Sequence, residues 1–120
     1  MSREKLPDDA ADAVKKLCDG GDQLASAGRT REAWQSYVSA LQMLPEPAEE
    51  WGAATQILTR IGNLLFNKPD YARALDAFAD AVRCPGGLGD PFIHLRLGQC
   101  HLELGDRPRA ADNLARAYMA

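Results

Sequence analysis

The stretch LTRIGNLLFNKPDYARALDAFADA, residues 58–81, decides the fold. Leu58, Ile61, Gly62 and Leu65 recur at the three-and-four spacing of a single helix face. Asn67-Lys68-Pro69-Asp70 then interrupts the pattern, since proline and its predecessor disfavour continued helix. Beyond the break, Ala74, Phe78 and Ala81 stand at offsets of four and seven, again on one face. Small residues there admit a neighbouring helix, and the large one fills the gap beside it. The segment reads as two helices folded back on each other.

The same pair of patterns occurs on either side. Leu17, Gly20, Gly21 and Leu24 precede Ala33, Tyr37 and Ala40; His94, Leu97, Gly98 and His101 precede Ala110, Leu114 and Ala117. Gly21, Gly62 and Gly98 stand mid-helix, where glycine costs about 1 kcal/mol relative to alanine. Three such costs at equivalent positions predict a packing role, with two helix backbones crossing there. Gly28 with Thr30, and Gly105-Asp106-Arg107-Pro108, divide the outer pairs; Pro45-Glu46-Pro47 and the run from Cys84 to Pro91 separate the units. Helices are predicted near 9–26, 30–43, 49–66, 70–83, 91–104 and 107–119, with Asp90 and Asp106 as N-caps.

Glycine then an apolar residue in the first helix, followed by Ala-x-x-x-aromatic-x-x-Ala and a proline, resembles the tetratricopeptide repeat (TPR) family. Leu58, Gly62, Leu65, Ala74, Phe78, Ala81 and Pro85 carry the match in one repeat; Leu17, Gly21, Leu24, Ala33, Tyr37, Ala40 and Pro45 carry it in another. The third departs, with His94 and His101 at apolar positions and Leu114 at an aromatic one. The chain is also similar to small, uncharacterised bacterial TPR proteins. The resemblance implies an all-α fold, three helix-turn-helix hairpins stacked as a short right-handed α-solenoid, in a single domain over 1–120 with repeats at about 14–47, 55–87 and 91–120.

It also implies a non-catalytic module that binds a peptide or helix of a partner protein on a concave face made by the first helices. Lys15, Cys18, Asp22 and Ser26 fall there from the first repeat; Gln56, Thr59, Asn63, Phe66 and Asn67 from the second; Phe92, Leu95, Gln99, Leu102 and Glu103 from the third, with Arg60 and Arg96 beside them. Family members that clamp the acidic tail of heat-shock chaperones carry Lys and Asn, then Asn, then Lys and Arg at places held here by Cys18 and Asp22, Arg60, and Phe92 and Arg96. Only Arg96 matches, and Asp22 repels a carboxylate, so that partner is rejected. An immunity or chaperone-like protein binding a bacterial toxin or secreted effector is the alternative.

Composition sets the outer limits. The 120 residues suit one domain, and 46% hydrophobic with 26% charged residues is a globular composition. Lys and Arg number 14 against 17 Asp and Glu, a net charge of -3 that argues against nucleic acid or anionic lipid as partner. No apolar run nears the roughly 20 residues of a membrane span, and the N-terminus has no apolar signal core. Cys18, Cys84 and Cys100 form no C-x-x-C pair, which fits a reducing cytoplasm.

No metal or cofactor is expected. His94 and His101 share a helix face but stand about 10 Å apart along the axis, too far for one zinc ion. A metal-binding or enzymatic reading on His94, Cys100 and His101 is the second alternative. The glycines at 86, 87 and 89 lack the Lys-Ser/Thr of a phosphate loop. The last predicted helix carries Ala110, Ala111, Leu114, Ala115, Tyr118 and Met119 with nothing after it to cover them. A homodimer through Leu114, Tyr118 and Met119, a partner, or further chain beyond Ala120 is expected to do so.

Overall fold

The computed structural model describes residues 5–119; Met1–Glu4 and Ala120, part of the expected domain 1–120, lie outside the described residues. Helices α1 (Asp8–Ser26), α2 (Thr30–Gln42), α3 (Gly52–Asn67), α4 (Tyr71–Val82), α5 (Pro91–Glu103) and α6 (Arg107–Met119) follow in order, with no strand among the described residues. Packing runs in chain order. Each of α1/α2, α3/α4 and α5/α6 is a tight antiparallel pair, and α2 on α3 and α4 on α5 join the pairs. The result is three hairpins stacked as a short right-handed α-solenoid. The molecule is a slab of 43 × 36 × 19 Å, two helix diameters thick, with α1, α3 and α5 in one layer and α2, α4 and α6 in the other.

Helix starts follow local chemistry. Asp70 accepts the Arg73 backbone N–H at 3.2 Å, Asp90 that of Phe92 at 2.9 Å, and Asp106 that of Arg109 at 3.1 Å. Each satisfies a donor the first helical turn leaves unpaired. The third helix begins later than the predicted residue 49. A short 3-10 turn, Ala48–Glu50, comes first, and Trp51 is extended, at φ -95° and ψ 138°. Its indole is buried and donates from Nε1 to the Pro45 carbonyl at 2.7 Å, which holds the residue outside the helix.

The mid-helix glycines also work differently from the expected backbone crossing. A Cβ on Gly21 would lie 2.5 Å from the Tyr37 ring, one on Gly62 2.7 Å from the Phe78 ring, and one on Gly98 2.7 Å from Leu114. Each glycine is a socket for the large side chain of its own hairpin partner. The alanines on either side, Ala33, Ala40, Ala74 and Ala81, are fully buried and set the helix separation. Phe78, Ile57, Ile93 and Cys100 are the largest side chains wholly removed from water, each hydrocarbon one contributing about 1.5–3 kcal/mol.

Candidate functional site

The layer of α1, α3 and α5 places equivalent residues in columns. Asp22, Asn63 and Gln99 each follow a socket glycine; Arg60 and Arg96 each precede one by two residues. Each arginine reaches back one hairpin. Arg60 Nε donates to Asp22 Oδ1 at 3.1 Å, and Arg96 Nε donates to Asn63 Oδ1 at 3.2 Å. Arg96 Nη1 also donates to Gln99 Oε1 at 2.8 Å. Asp22 takes a further bond from the Tyr37 hydroxyl at 2.6 Å. Burial, then that hydrogen bond, raises the pKa of the Tyr37 phenol well above its ordinary value. The Asp22 and Arg60 side chains are 46% and 33% exposed, so water holds their mutual attraction to roughly 0.2–1 kcal/mol.

Arg96 is held on its faces as well. Its guanidinium carbon lies 4.3 Å from the Phe66 ring centroid and 5.1 Å from that of Phe92. Phe66 in turn stands edge-on to Tyr71 with centroids 5.2 Å apart. A planar cation over aromatic faces keeps its edge donors in plane and free to point outward. Between α1 and α3 run two adjoining hollows that share Arg60. One, of about 360 Å³, is edged by Asp22, Asn63, Asn67 and Lys68. The other, of about 340 Å³, has Val14, Cys18 and Ile57 as its floor and Lys15 and Gln56 on its rim. Burial raises the Cys18 thiol above its usual value, with Arg60 partly opposing.

The sequence matches no family model. It is 33% identical to human DnaJ homolog subfamily C member 7 over 88 residues, 72% of this chain and 16% of that protein. The mouse protein of the same name is 29% identical over 112 residues, 92% of this chain and 20% of its own length. The chain therefore spans about a fifth or less of the curated relatives it matches. Among solved structures, MamA superposes with a TM-score of 0.75 at 17% identity, over 89% of this chain and 54% of MamA. PcrH, solved with the chaperone binding region of PopB, gives 0.74 at 16% identity over 98% of this chain and 83% of PcrH. PcrH with the chaperone binding region of PopD gives 0.72 at 18%, over 95% and 77%. The fold is the tetratricopeptide repeat.

On this TPR scaffold the predicted contact residues divide into three groups. Asp22 with Arg60, and Arg96 with Asn63, Gln99 and Phe92, form two separate clusters, and Lys15, Gln56 and Asn67 edge the hollows beside them. The Thr59 hydroxyl is taken by its own helix, donating to the Thr55 carbonyl at 2.7 Å. Leu95 is half-buried, while Leu102 and Glu103 are exposed in the columns of Phe66 and Asn67, without the arginine that stacks on Phe66. Lys15 is paired with Asp19 at 2.9 Å. Sequence reasoning placed Phe66 on this face but missed its stacking on Arg96. The available signal was register: Phe66 is four residues past one socket glycine and Arg96 two before the next.

Of the residues expected to self-associate, Leu114 packs on Gly98 as Tyr37 and Phe78 pack on their glycines, but it stays half-buried where those two rings are buried. Tyr118 and Met119 are exposed. His94 is buried, with Nε2 2.6 Å from the Leu88 carbonyl oxygen and Nδ1 3.4 Å from Asn113 Oδ1, so both ring nitrogens face oxygens of the chain. Cys100 is wholly buried and its thiol is pushed up to about 11, chiefly by burial, the opposite of what a nucleophile needs. Among the described residues no three His, Cys, Asp or Glu side chains are grouped to hold a metal ion. None of the helices there is long and apolar enough to cross a membrane.

Proposed function

We propose that this TPR chain is a non-catalytic interaction module whose α1/α3/α5 face holds a peptide or helix of a partner protein. The observation that carries the reading is the fixed guanidinium of Arg96. Two phenyl rings and two side-chain amides hold it in one orientation, and Nη2 has no hydrogen-bond partner among the described residues. A donor immobilised before binding loses little entropy when a partner's carbonyl or carboxylate arrives. The amides of Asn63, Asn67 and Gln56 along the same strip suit the backbone of an extended segment. The three buried free thiols support a cytoplasmic setting.

A chaperone-like role for a secreted effector is the form of this reading favoured by the likeness to PcrH, which spans 98% of the chain. The test is affinity capture from the cells that make the protein, then calorimetry with the purified candidate. A saturable complex that Arg96→Ala with Phe92→Ala weakens at least tenfold, with helical circular dichroism unchanged, is the expected result. A complex indifferent to both substitutions overturns the proposed face. Self-association through the last helix would draw on exposed Tyr118 and Met119 and on half-buried Leu114, and sedimentation of the Tyr118→Ser, Met119→Ser double variant beside wild type tests it.

A further inference from the structure

A third hollow, of about 450 Å³, lies away from the Arg96 cluster, where α2 meets the α3–α4 turn. Its walls are the half-buried indole of Trp34 and the side chains of Leu64 and Leu65; its rim is Arg31, Lys68 and Arg73. None of the residues lining it is acidic, although acids outnumber bases 17 to 14 in the whole chain. Arg31 and Lys68 form no ion pair among the described residues, and Arg73 reaches Asp70 only at 3.9 Å. The comparably sized apolar hollow by Leu41, Leu58 and Cys84 differs: there Glu49 and Asp80 offset Arg83. The all-cationic rim of the Trp34 cavity is thus not shared by that hollow.

We infer that this cavity is a second docking site, which takes an aromatic side chain from an acidic segment of a partner protein. The apolar floor and the indole accept a ring, and ring–ring contact adds to simple burial. Three cations around a low-dielectric hollow focus a positive potential over its mouth, so carboxylates on either side of the ring are drawn to the rim. Lys68, Thr30 and Leu64 also line the hollow edged by Asp22 and Asn63. The cavity is therefore continuous with the α1/α3 strip, and a partner leaving that strip passes over Lys68 to reach Trp34. The site stands independently of what the Arg96 network binds.

The probe is the peptide acetyl-Glu-Glu-Phe-Glu-Glu-amide, titrated into ¹⁵N-labelled full-length protein. Saturable shifts of the Trp34 indole N–H and of the Lys68 amide are expected, with Trp51 and Gln99 unmoved. The double variant Arg31→Glu, Lys68→Glu lies on the exposed rim and should weaken binding by about tenfold or more. Replacing Phe by Ala in the peptide should abolish the indole shift, and raising salt should weaken binding throughout. The inference is overturned by no saturable shift at millimolar peptide, by equal binding of the Lys-Lys-Phe-Lys-Lys peptide, or by shifts confined to Asn63 and Gln99. It is also overturned if ATP or phosphatidylserine vesicles move the Trp34 indole while the acidic peptide does not.

Discussion

The Phe78 ring occupies the space that a side chain on Gly62 would need, 2.7 Å from where its Cβ would stand. Glycine costs helix stability at that position and returns it by seating a ring that is wholly removed from water. The same exchange is made at Gly21 with Tyr37 and at Gly98 with Leu114, so the hairpin is one packing solution used three times.

The socket predicts an order of damage. Gly62→Ala gains about 1 kcal/mol of helix propensity but forces the ring from its seat, an overpacking cost of typically 1–3 kcal/mol. A net loss of up to about 2 kcal/mol is expected at Gly62 and at Gly21, where the Tyr37 hydroxyl is also tied to Asp22. Gly98→Ala meets Leu114 at Cγ, 2.7 Å away, and the Ala110 carbonyl oxygen at 3.3 Å; it should cost less, because half-buried Leu114 can change χ1 towards solvent where a ring seated in the core cannot. Urea unfolding of the three variants checks the order, and equal losses at all three would contradict the socket.

These sockets also show what the sequence made readable. The glycine and alanine spacing alone located the hairpins, and it aligned Asp22, Asn63 and Gln99 as one column. It also contained the inward direction of Leu114, which stands where Tyr37 and Phe78 stand. What it did not contain was the offset between neighbouring hairpins. That offset brings Arg60 to Asp22 and Arg96 to Asn63 and Phe66, and it depends on how α2 meets α3 and α4 meets α5. The Trp34 cavity was hidden for the same reason: its walls come from two hairpins, and no pattern within either reports the gap. The start of α3 was missed because a single indole, Trp51, takes the loop carbonyl of Pro45 instead of joining the helix.

Asp22 is held by two partners of different kinds, and they should separate experimentally. Tyr37→Phe removes one hydrogen bond and leaves the ring in the Gly21 socket, so a loss of about 0.5–1.5 kcal/mol is expected. A double-mutant cycle on Asp22→Ala and Arg60→Ala should give a coupling of only about 0.2–1 kcal/mol, since both side chains are partly in water. Thermal unfolding of the four proteins measures it. A coupling that survives at high salt would show a drier pair than the exposures describe.

All three cysteines are buried, and burial raises each thiol above its usual value. Native protein at pH 8 should therefore react with a thiol reagent at least about tenfold more slowly than protein in urea, with all three groups reacting once unfolded. The alkaline limb follows for Cys100, whose folded value is pushed from 9.0 to about 11. The unfolded chain loses this proton first. Stability then falls as pH rises through that window, by up to about 1.4 kcal/mol per unit. Cys100→Ala should flatten the limb, and an unchanged slope would assign it elsewhere.

The acid limb should report on α6. The Asp106 carboxyl caps that helix, and the Arg109 backbone N–H, with a smaller contribution from the Arg109 side chain, holds it below its ordinary value of 3.8. A carboxyl lowered in the folded state stabilises it at neutral pH. The contribution fades only as pH drops below the ordinary value and through the lowered one. The Arg109 amide shift should thus titrate with a midpoint under 3.8, and a midpoint at or above that would remove the cap from the argument. Asp106→Asn keeps an oxygen that can accept the capping bond but carries no charge for Arg109 or the helix dipole. The variant should begin slightly less stable at pH 7 and then lose less on acidification than wild type. If both proteins weaken in parallel, the acid sensitivity of the last hairpin comes from other carboxylates.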